Sequence, residues 1–207
     1  MSVSKKLLKH LNSIELDCEL VDHKKVYTAY DAAATLHIKL GQIAKSLLIK
    51  FNRPFEDGTK PYAIAIVAAD KNIDLKKLAK EVSKWAIKLN NKLRLSKPKC
   101  VSGKKNPVKN KPLIDIYNKI SKVSLPKEKM IKEKLKISPG SVSAFGSVYK
   151  LPVFVDLSLK GKVIFSSGFS SQSVKMAVGD FIRLEQAMKG NFSAVRKRQK
   201  KDKIKKG

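Results

Sequence analysis

The chain has 207 residues, of which 43% are hydrophobic, so it is long enough and apolar enough to bury the core of one domain with additions. Forty-five Lys and Arg against 17 Asp and Glu leave a formal net charge of +28, which opposes compaction and favours a polyanionic partner, nucleic acid ahead of an anionic membrane. Two distant cysteines, Cys18 and Cys100, form no disulfide framework, and no stretch has the length of a membrane span or the apolar run of a signal peptide, so a reducing cytoplasmic location is expected.

Leu7, Leu8, Leu11 and Ile14 recur at helical spacing and predict an N-terminal helix. An extended run follows at 19–27. Thr28 then reads as an N-cap, with Asp31 three residues on in the manner of a capping box, for a helix through Ala32, Ala33 and Leu36 that ends before Gly41. Residues 45–51 (KSLLIKF) and 62–69 (YAIAIVAA) predict two strands, joined as a hairpin by a connection holding Pro54, Asp57 and Gly58. The second is apolar on both faces and belongs at the centre of its sheet. Asp74 caps a further helix through Leu75, Leu78, Ala79 and Val82, with Trp85 after them.

At Lys84 the composition shifts. Residues 84–136 hold 17 basic and 3 acidic side chains with Pro98, Pro107 and Pro112, which predicts a basic, loop-rich insertion at about 84–125. A helix is expected near 127–135, with Pro126 in its first turn. Residues 151–156, 162–166 and 173–178 predict strands, and 180–188 a closing helix ended at Gly190. The last twelve residues carry eight basic side chains and one acidic one, and 191–207 is expected to be a disordered basic tail behind a single domain over 1–190. The whole reads as mixed α and β around one core.

Most catalytic signatures are absent: the sequence has no GxGxxG, P-loop, HExxH or nucleophile elbow. His10, His23 and His37 lack ligand spacing and read as surface or packing residues, so neither a metal nor a cofactor is expected. Two segments carry chemistry. In Gly41-Gln42-Ile43-Ala44-Lys45-Ser46-Leu47, a lysine stands where a turn becomes an apolar strand, which limits the freedom of its ammonium; the alternative is a lysine that snorkels from a strand edge. In Ser138-Pro139-Gly140-Ser141-Val142-Ser143-Ala144-Phe145-Gly146, two glycines with serines between them allow main-chain N–H groups to converge on an anion or oxyanion; the alternative is an ordinary turn.

Taken together with YTAYDAAATL, YAIAIVAADKNIDLKKLAK, LPVFVDLSL and VIFSSGFSSQSVKM, these segments resemble, in order, the YbaK/prolyl-tRNA synthetase-associated domain family. The resemblance runs over about 20–184, outside the basic insertion. It implies a twisted, partly barrel-like mixed sheet flanked by helices, and a metal-free aminoacyl-tRNA deacylase that removes alanine or cysteine from mischarged tRNA for proline. It makes Lys45 the catalytic residue and places Ser46, Gly140, Ser141, Ser143, Gly146 and Gly168 at the substrate. Asp156 falls on a recurrent family position and reads as structural. No general base is implied, and the substrate's vicinal hydroxyl is the group expected to orient water. The family's GxxxP loop pattern is broken at Ala144, four residues after Gly140, and the loss of a fixed φ is expected to loosen the pocket wall.

Residues 84–136 and the tail together hold +21 of the net +28, which marks them as contacts to a tRNA backbone, affinity without sequence information. A general lysine bias is the alternative. Two functions compete with the hydrolase: a basic tRNA- or RNA-binding protein that kept the fold without hydrolysis, and a module that captures an aminoacyl-tRNA synthetase.

Overall fold

Two neighbouring apolar runs form the centre of the molecule. In the computed structural model, which describes residues 5–13, 15–96, 115–127, 130–131 and 142–195, these runs are β2 (Ile43–Phe51) and β3 (Tyr62–Ala68), paired antiparallel from Ala44↔Ala68 to Lys50↔Tyr62. Every residue of β3 is buried, as its unbroken apolar sequence requires. Around them lie β1 (Cys18–Asp22), β5 (Val123–Ser124), β6 (Val153–Asp156), β7 (Lys162–Ser166), β8 (Gln172–Ala177) and β9 (Met188–Gly190). The sheet runs β1-β8-β7-β2-β3-β6-β9, with β5 also on β2, and mixes antiparallel pairs with the parallel pairs β2–β7, β3–β6 and β6–β9. A separate ribbon joins β4 (Lys71–Ile73) to β10 (Ser193–Val195).

Four α-helices flank the sheet among the described residues: α1 (Lys5–Leu11), α2 (Ala29–Thr35), α3 (Leu75–Ser96) and α4 (Val178–Glu185). The fold is therefore the mixed α/β sheet flanked by helices that the sequence predicts. Alternation along β2 sends its side chains to two faces. Ala44 and Leu48 enter a core with Ile64, Ile66, Phe145, Phe165 and Phe181, closed by Leu7 and Leu11 of α1. There the rings of Phe165 and Phe181 stack with centroids 4.1 Å apart. On the opposite face, Ile43 packs in a cluster with Ala32 and Ala33 of α2, and Ile49 in one with Leu78 and Val82 of α3.

The caps follow the sequence reading. Thr28 Oγ1 accepts from the Asp31 amide at 3.1 Å and donates to its carboxylate at 2.8 Å. Asp74 Oδ1 accepts from the amides of Lys76 and Lys77, each at 3.0 Å, and starts α3.

Several boundaries differ from expectation. The composition shift at Lys84 is not a structural boundary: α3 continues through it to Ser96, because Ala86, Leu89 and Asn90 keep the inward face supplied. β1 ends at Asp22 rather than Tyr27, and the chain from His23 is then held through single bonds to the carbonyls of Ser171 and Ser170. The closing helix stops at Glu185, not Gly190, because Gln186 adopts a left-handed conformation (φ 49°) as its C-cap. Gly190 instead lies in β9, and the ordered chain runs past 190: Phe192 is fully buried and β10 follows it. Asp156 explains this extension. Its buried carboxylate accepts from the amides of Phe192 (2.6 Å), Ser193 (2.7 Å) and Ser158 (2.8 Å), tying β6 to the C-terminal ribbon. Burial pushes that carboxyl up, but these hydrogen bonds outweigh it and hold it below the usual carboxylate range.

The centre of the basic insertion, most of the helix expected at 127–135, and the tail from 196 lie outside the described residues. Among the described residues, no helix is long and apolar enough to cross a membrane.

Candidate active site

Among the described residues, the outer edge of β2 is paired only at its two ends, by β7 at Ile43 and Ala44 and by β5 at Lys50 and Phe51. Between them no described strand covers residues 45–49. A cleft of about 570 Å³ opens at this gap. Its walls come from β2, the start of α2, the Leu125–Pro126 segment with Ile131, Val142, and the β7–β8 turn.

The register shows which main-chain groups face the gap. Ile43 accepts from the Ala69 amide and Phe51 donates to the Pro61 carbonyl, so the odd-numbered residues of β2 bond toward β3. By alternation, the N–H and C=O groups of Ser46 and Leu48 turn toward the cleft. Ser46 Oγ is also buried there and has no hydrogen-bond partner among the described residues.

Lys45 lines the same cleft. Its side chain leaves β2 on the face opposite Ser46, between the cluster under α2 and the cluster under α3. It is half-buried, and its ammonium donates to the Lys71 carbonyl at 2.5 Å. Burial pushes the Lys45 amine down from the ordinary lysine value, and the charge of Asp70 opposes this only in part. Among the described residues this engages one of the three ammonium hydrogens, and two remain to be directed at a ligand.

The glycine–serine loop behaves differently from its sequence reading. Gly140 and Ser141 lie outside the described residues. Beyond them, successive amides are engaged inside the protein: Ser143 donates to the Tyr149 hydroxyl (3.1 Å), Ala144 to the Ser166 carbonyl (2.9 Å) and Phe145 to Ser143 Oγ (3.2 Å). Ser143 Oγ also donates to the Ser166 carbonyl at 3.3 Å. Ala144, expected to loosen the wall, is instead fully buried and bonded through an N–H that proline lacks.

Gly146 and Gly168 are demanded by the backbone. A Cβ on Gly146 would overlap the Leu151 carbonyl and the Val153 side chain. Gly168 has φ 91°, a conformation that L side chains rarely adopt, and it turns the chain between Ser166 and Phe169, both of which line the cleft. Of the residues singled out in the sequence, Lys45 and Ser46 line the cleft, Gly168 shapes its rim, and Ser143 and Gly146 pack behind it.

Residues not singled out complete the walls. His23, read as a surface or packing residue, lines the cleft; its Nδ1 lies 2.9 Å from the Lys24 carbonyl and its Nε2 2.9 Å from Ser173 Oγ. The carbonyl requires Nδ1 to donate, so in the neutral ring Nε2 accepts from the serine. Tyr27 and Tyr30 stand at the lip, 60% and 44% exposed. Two tyrosines in one short segment are the available signal in sequence, but nothing in the YTAY segment separates them from packing residues. No group of three or more His, Cys, Asp or Glu is placed to hold a metal among the described residues.

Comparison with known proteins agrees with this architecture. The family described as the aminoacyl-tRNA editing domain matches residues 23–118 and 100–184. A crystal structure of the hypothetical protein APE2540 superposes with a TM-score of 0.63 at 15% identity, covering 92% of this chain and 100% of the other. One of a proposed trans-editing enzyme for prolyl tRNA synthetase gives a TM-score of 0.56 at 16% identity, covering 86% and 87%. A proposed signal transduction protein from Marinobacter aquaeolei VT8 gives 0.52 at 14% identity, covering 93% of this chain and 31% of the other. At these identities the likeness is one of fold. No curated protein sequence matches the chain.

Proposed function

This chain belongs to the aminoacyl-tRNA editing domain family, and from that premise we propose that it is an aminoacyl-tRNA deacylase acting in trans on mischarged tRNA. The observation that carries the reading is a cleft lined both by Lys45, whose half-buried ammonium is held by a main-chain carbonyl, and by a strand edge that no described strand covers.

The chemistry asks little of the protein. An aminoacyl ester is already activated, so holding it beside a water supplies much of the rate. The Lys45 ammonium binds the terminal phosphate or ribose, or polarises the ester carbonyl. The engaged amides of residues 143–145 leave the oxyanion to other donors, and the edge amides of Ser46 and Leu48 are the ones that face the cleft. One such donor is typically worth about 3–4 kcal/mol. Tyr27 and Tyr30 offer ring faces at the lip to the unpaired 3′-terminal adenine. The substrate's vicinal hydroxyl orients the water, and no protein side chain is assigned as base. Alanine or cysteine on tRNA for proline is the substrate proposed.

One observation favours a second reading. With the amides of residues 143–145 turned inward, a protein of this fold can hold an acceptor end without stabilising the tetrahedral intermediate. Hydrolysis of a panel of aminoacyl-tRNAs, with Ala-tRNA and Cys-tRNA for proline included, separates the two. Release of a free amino acid from one member supports the deacylase. Binding of tRNA with no release from any member supports the binding protein.

A further inference from the structure

The solvent face of α3 carries lysines at positions 76, 80, 84, 88 and 92, five in unbroken i, i+4 spacing, and all five are exposed. At 1.5 Å rise per residue they stand about 6 Å apart along a ridge of about 24 Å. Like charges at this spacing destabilise a helix, so a regular array of them is a feature the fold sustains against its own electrostatics. Among the described residues, only Lys84 of the five has a carboxylate partner, Glu81 at 2.6 Å. Leu78, Val82 and Ala86 anchor the helix to the core, and because each four-residue step turns by about 40° at 3.6 residues per turn, the ridge winds around the exposed side of the helix.

We propose that this ridge binds the sugar–phosphate backbone of the tRNA whose 3′ end occupies the cleft; the proposal rests on aminoacyl-tRNA being the substrate. Three features choose RNA over a protein partner. The ridge has one sign of charge and regular spacing, the arrangement that neutralises a polyanion without reading its sequence. Its aromatic residue does not protrude as an anchor: the Trp85 indole N–H donates to the Lys189 carbonyl at 2.7 Å, while the Lys88 ammonium lies 4.5 Å above the ring centroid. The ridge also begins within about 18 Å of Lys71, whose carbonyl holds the Lys45 ammonium, because only five positions separate Lys71 from Lys76. An RNA entering the cleft by its 3′ end would have the first of these lysines within reach of its backbone. The register starts at Lys76, before the composition shift at Lys84, so the ridge is a property of the folded helix and not of the insertion.

Trp85 is the only tryptophan in the chain, and it reports directly on the ridge. Uncharged tRNA added to the full-length protein is expected to change Trp85 fluorescence along the same isotherm that labelled tRNA gives. Lys80→Gln/Lys88→Gln/Lys92→Gln should weaken tRNA binding at least tenfold at moderate salt. It should also reduce the slope of log K against log salt by about 2 to 3, the release expected for three phosphate contacts. Lys5→Gln/Lys9→Gln/Lys160→Gln, which removes three exposed lysines elsewhere, should leave both nearly unchanged, and the Lys→Arg version of the ridge should keep the slope. Equal losses in the two Gln variants, an unchanged slope, or a silent Trp85 while labelled tRNA binds would each overturn the proposal. So would a ridge variant that binds tRNA normally but loses a bound synthetase. Because the assay uses uncharged tRNA, ridge-dependent binding without hydrolysis of any aminoacyl-tRNA would sustain this inference while defeating the deacylase reading.

Discussion

The ammonium of Lys45 donates to the main-chain carbonyl of Lys71 at 2.5 Å, so the one lysine among the described residues that line the cleft is held by a neutral acceptor. The charge of Asp70 acts on it without outweighing burial, and the amine sits below the ordinary lysine value. A carboxylate partner in direct contact would have fixed the charge on the protein; a carbonyl positions it and leaves it available to a substrate.

This arrangement predicts an alkaline limb in the pH–rate profile. If the ammonium is the acting form, kcat/KM for deacylation falls at a pH below that at which an ordinary lysine titrates. Asp70→Asn removes the opposing charge and should move that fall to lower pH still. Comparing the two proteins on one aminoacyl-tRNA cancels the titration of the substrate's own amine and its spontaneous hydrolysis. Superimposable alkaline limbs would exclude Lys45 as the titrating group.

Ala144→Pro restores a loop proline and should destabilise this protein. It removes the N–H that bonds the Ser166 carbonyl at 2.9 Å, at a cost of about 1–2 kcal/mol, or a fall in Tm of roughly 2–8 °C for a chain of this size. A rise in Tm would show that the fixed φ matters more than the hydrogen bond.

Asp156→Asn should cost about 2–4 kcal/mol, because an amide nitrogen then faces buried main-chain donors that a carboxylate had satisfied. The folded-state carboxyl is depressed, so its contribution is fully present above the unfolded value near 3.8 and is lost as pH falls through the lower folded value. Urea unfolding between pH 7 and pH 2.5 should show the wild type losing this excess on acidification while the variant does not. A constant difference between the two across that range would contradict the assignment.

Removal of residues 196–207 takes away eight basic side chains and one acidic one. Affinity for tRNA should fall and its salt dependence should flatten, with kcat on saturating substrate unchanged. Filter binding across ionic strengths measures this, and an unaltered slope would leave the tail without a role in RNA binding.

The central hairpin, the caps at Thr28 and Asp74, and the placing of Lys45 at a turn-to-strand junction were all legible in the sequence, because each depends on local pattern. What was not legible depends on pairing between distant segments. β9 and β10 are three-residue strands that pair with the distant β6 and β4, and the Asp156 carboxylate fixes the chain between them by accepting from the amides of Phe192 and Ser193. The same holds for the loop at 143–146: its composition suited an anion nest, yet its amides bond to Tyr149, Ser166 and Ser143 Oγ, partners that spacing alone does not reveal. The composition shift at Lys84 marked charge, not a boundary, since the inward face of α3 continues through it. His23 reads in sequence as a surface or packing residue, since its neighbour in the cleft, Ser173, lies 150 positions away.

The most direct test of the account is single-turnover hydrolysis of Ala-tRNA and Cys-tRNA for proline by the wild type and Lys45→Ala, with tRNA binding measured in parallel. The account predicts release of the amino acid by the wild type, a loss of about 100-fold or more in the variant, and retained binding of uncharged tRNA. Equal hydrolysis by the two proteins would contradict the role of Lys45, and no hydrolysis of any aminoacyl-tRNA by the wild type would contradict the deacylase itself.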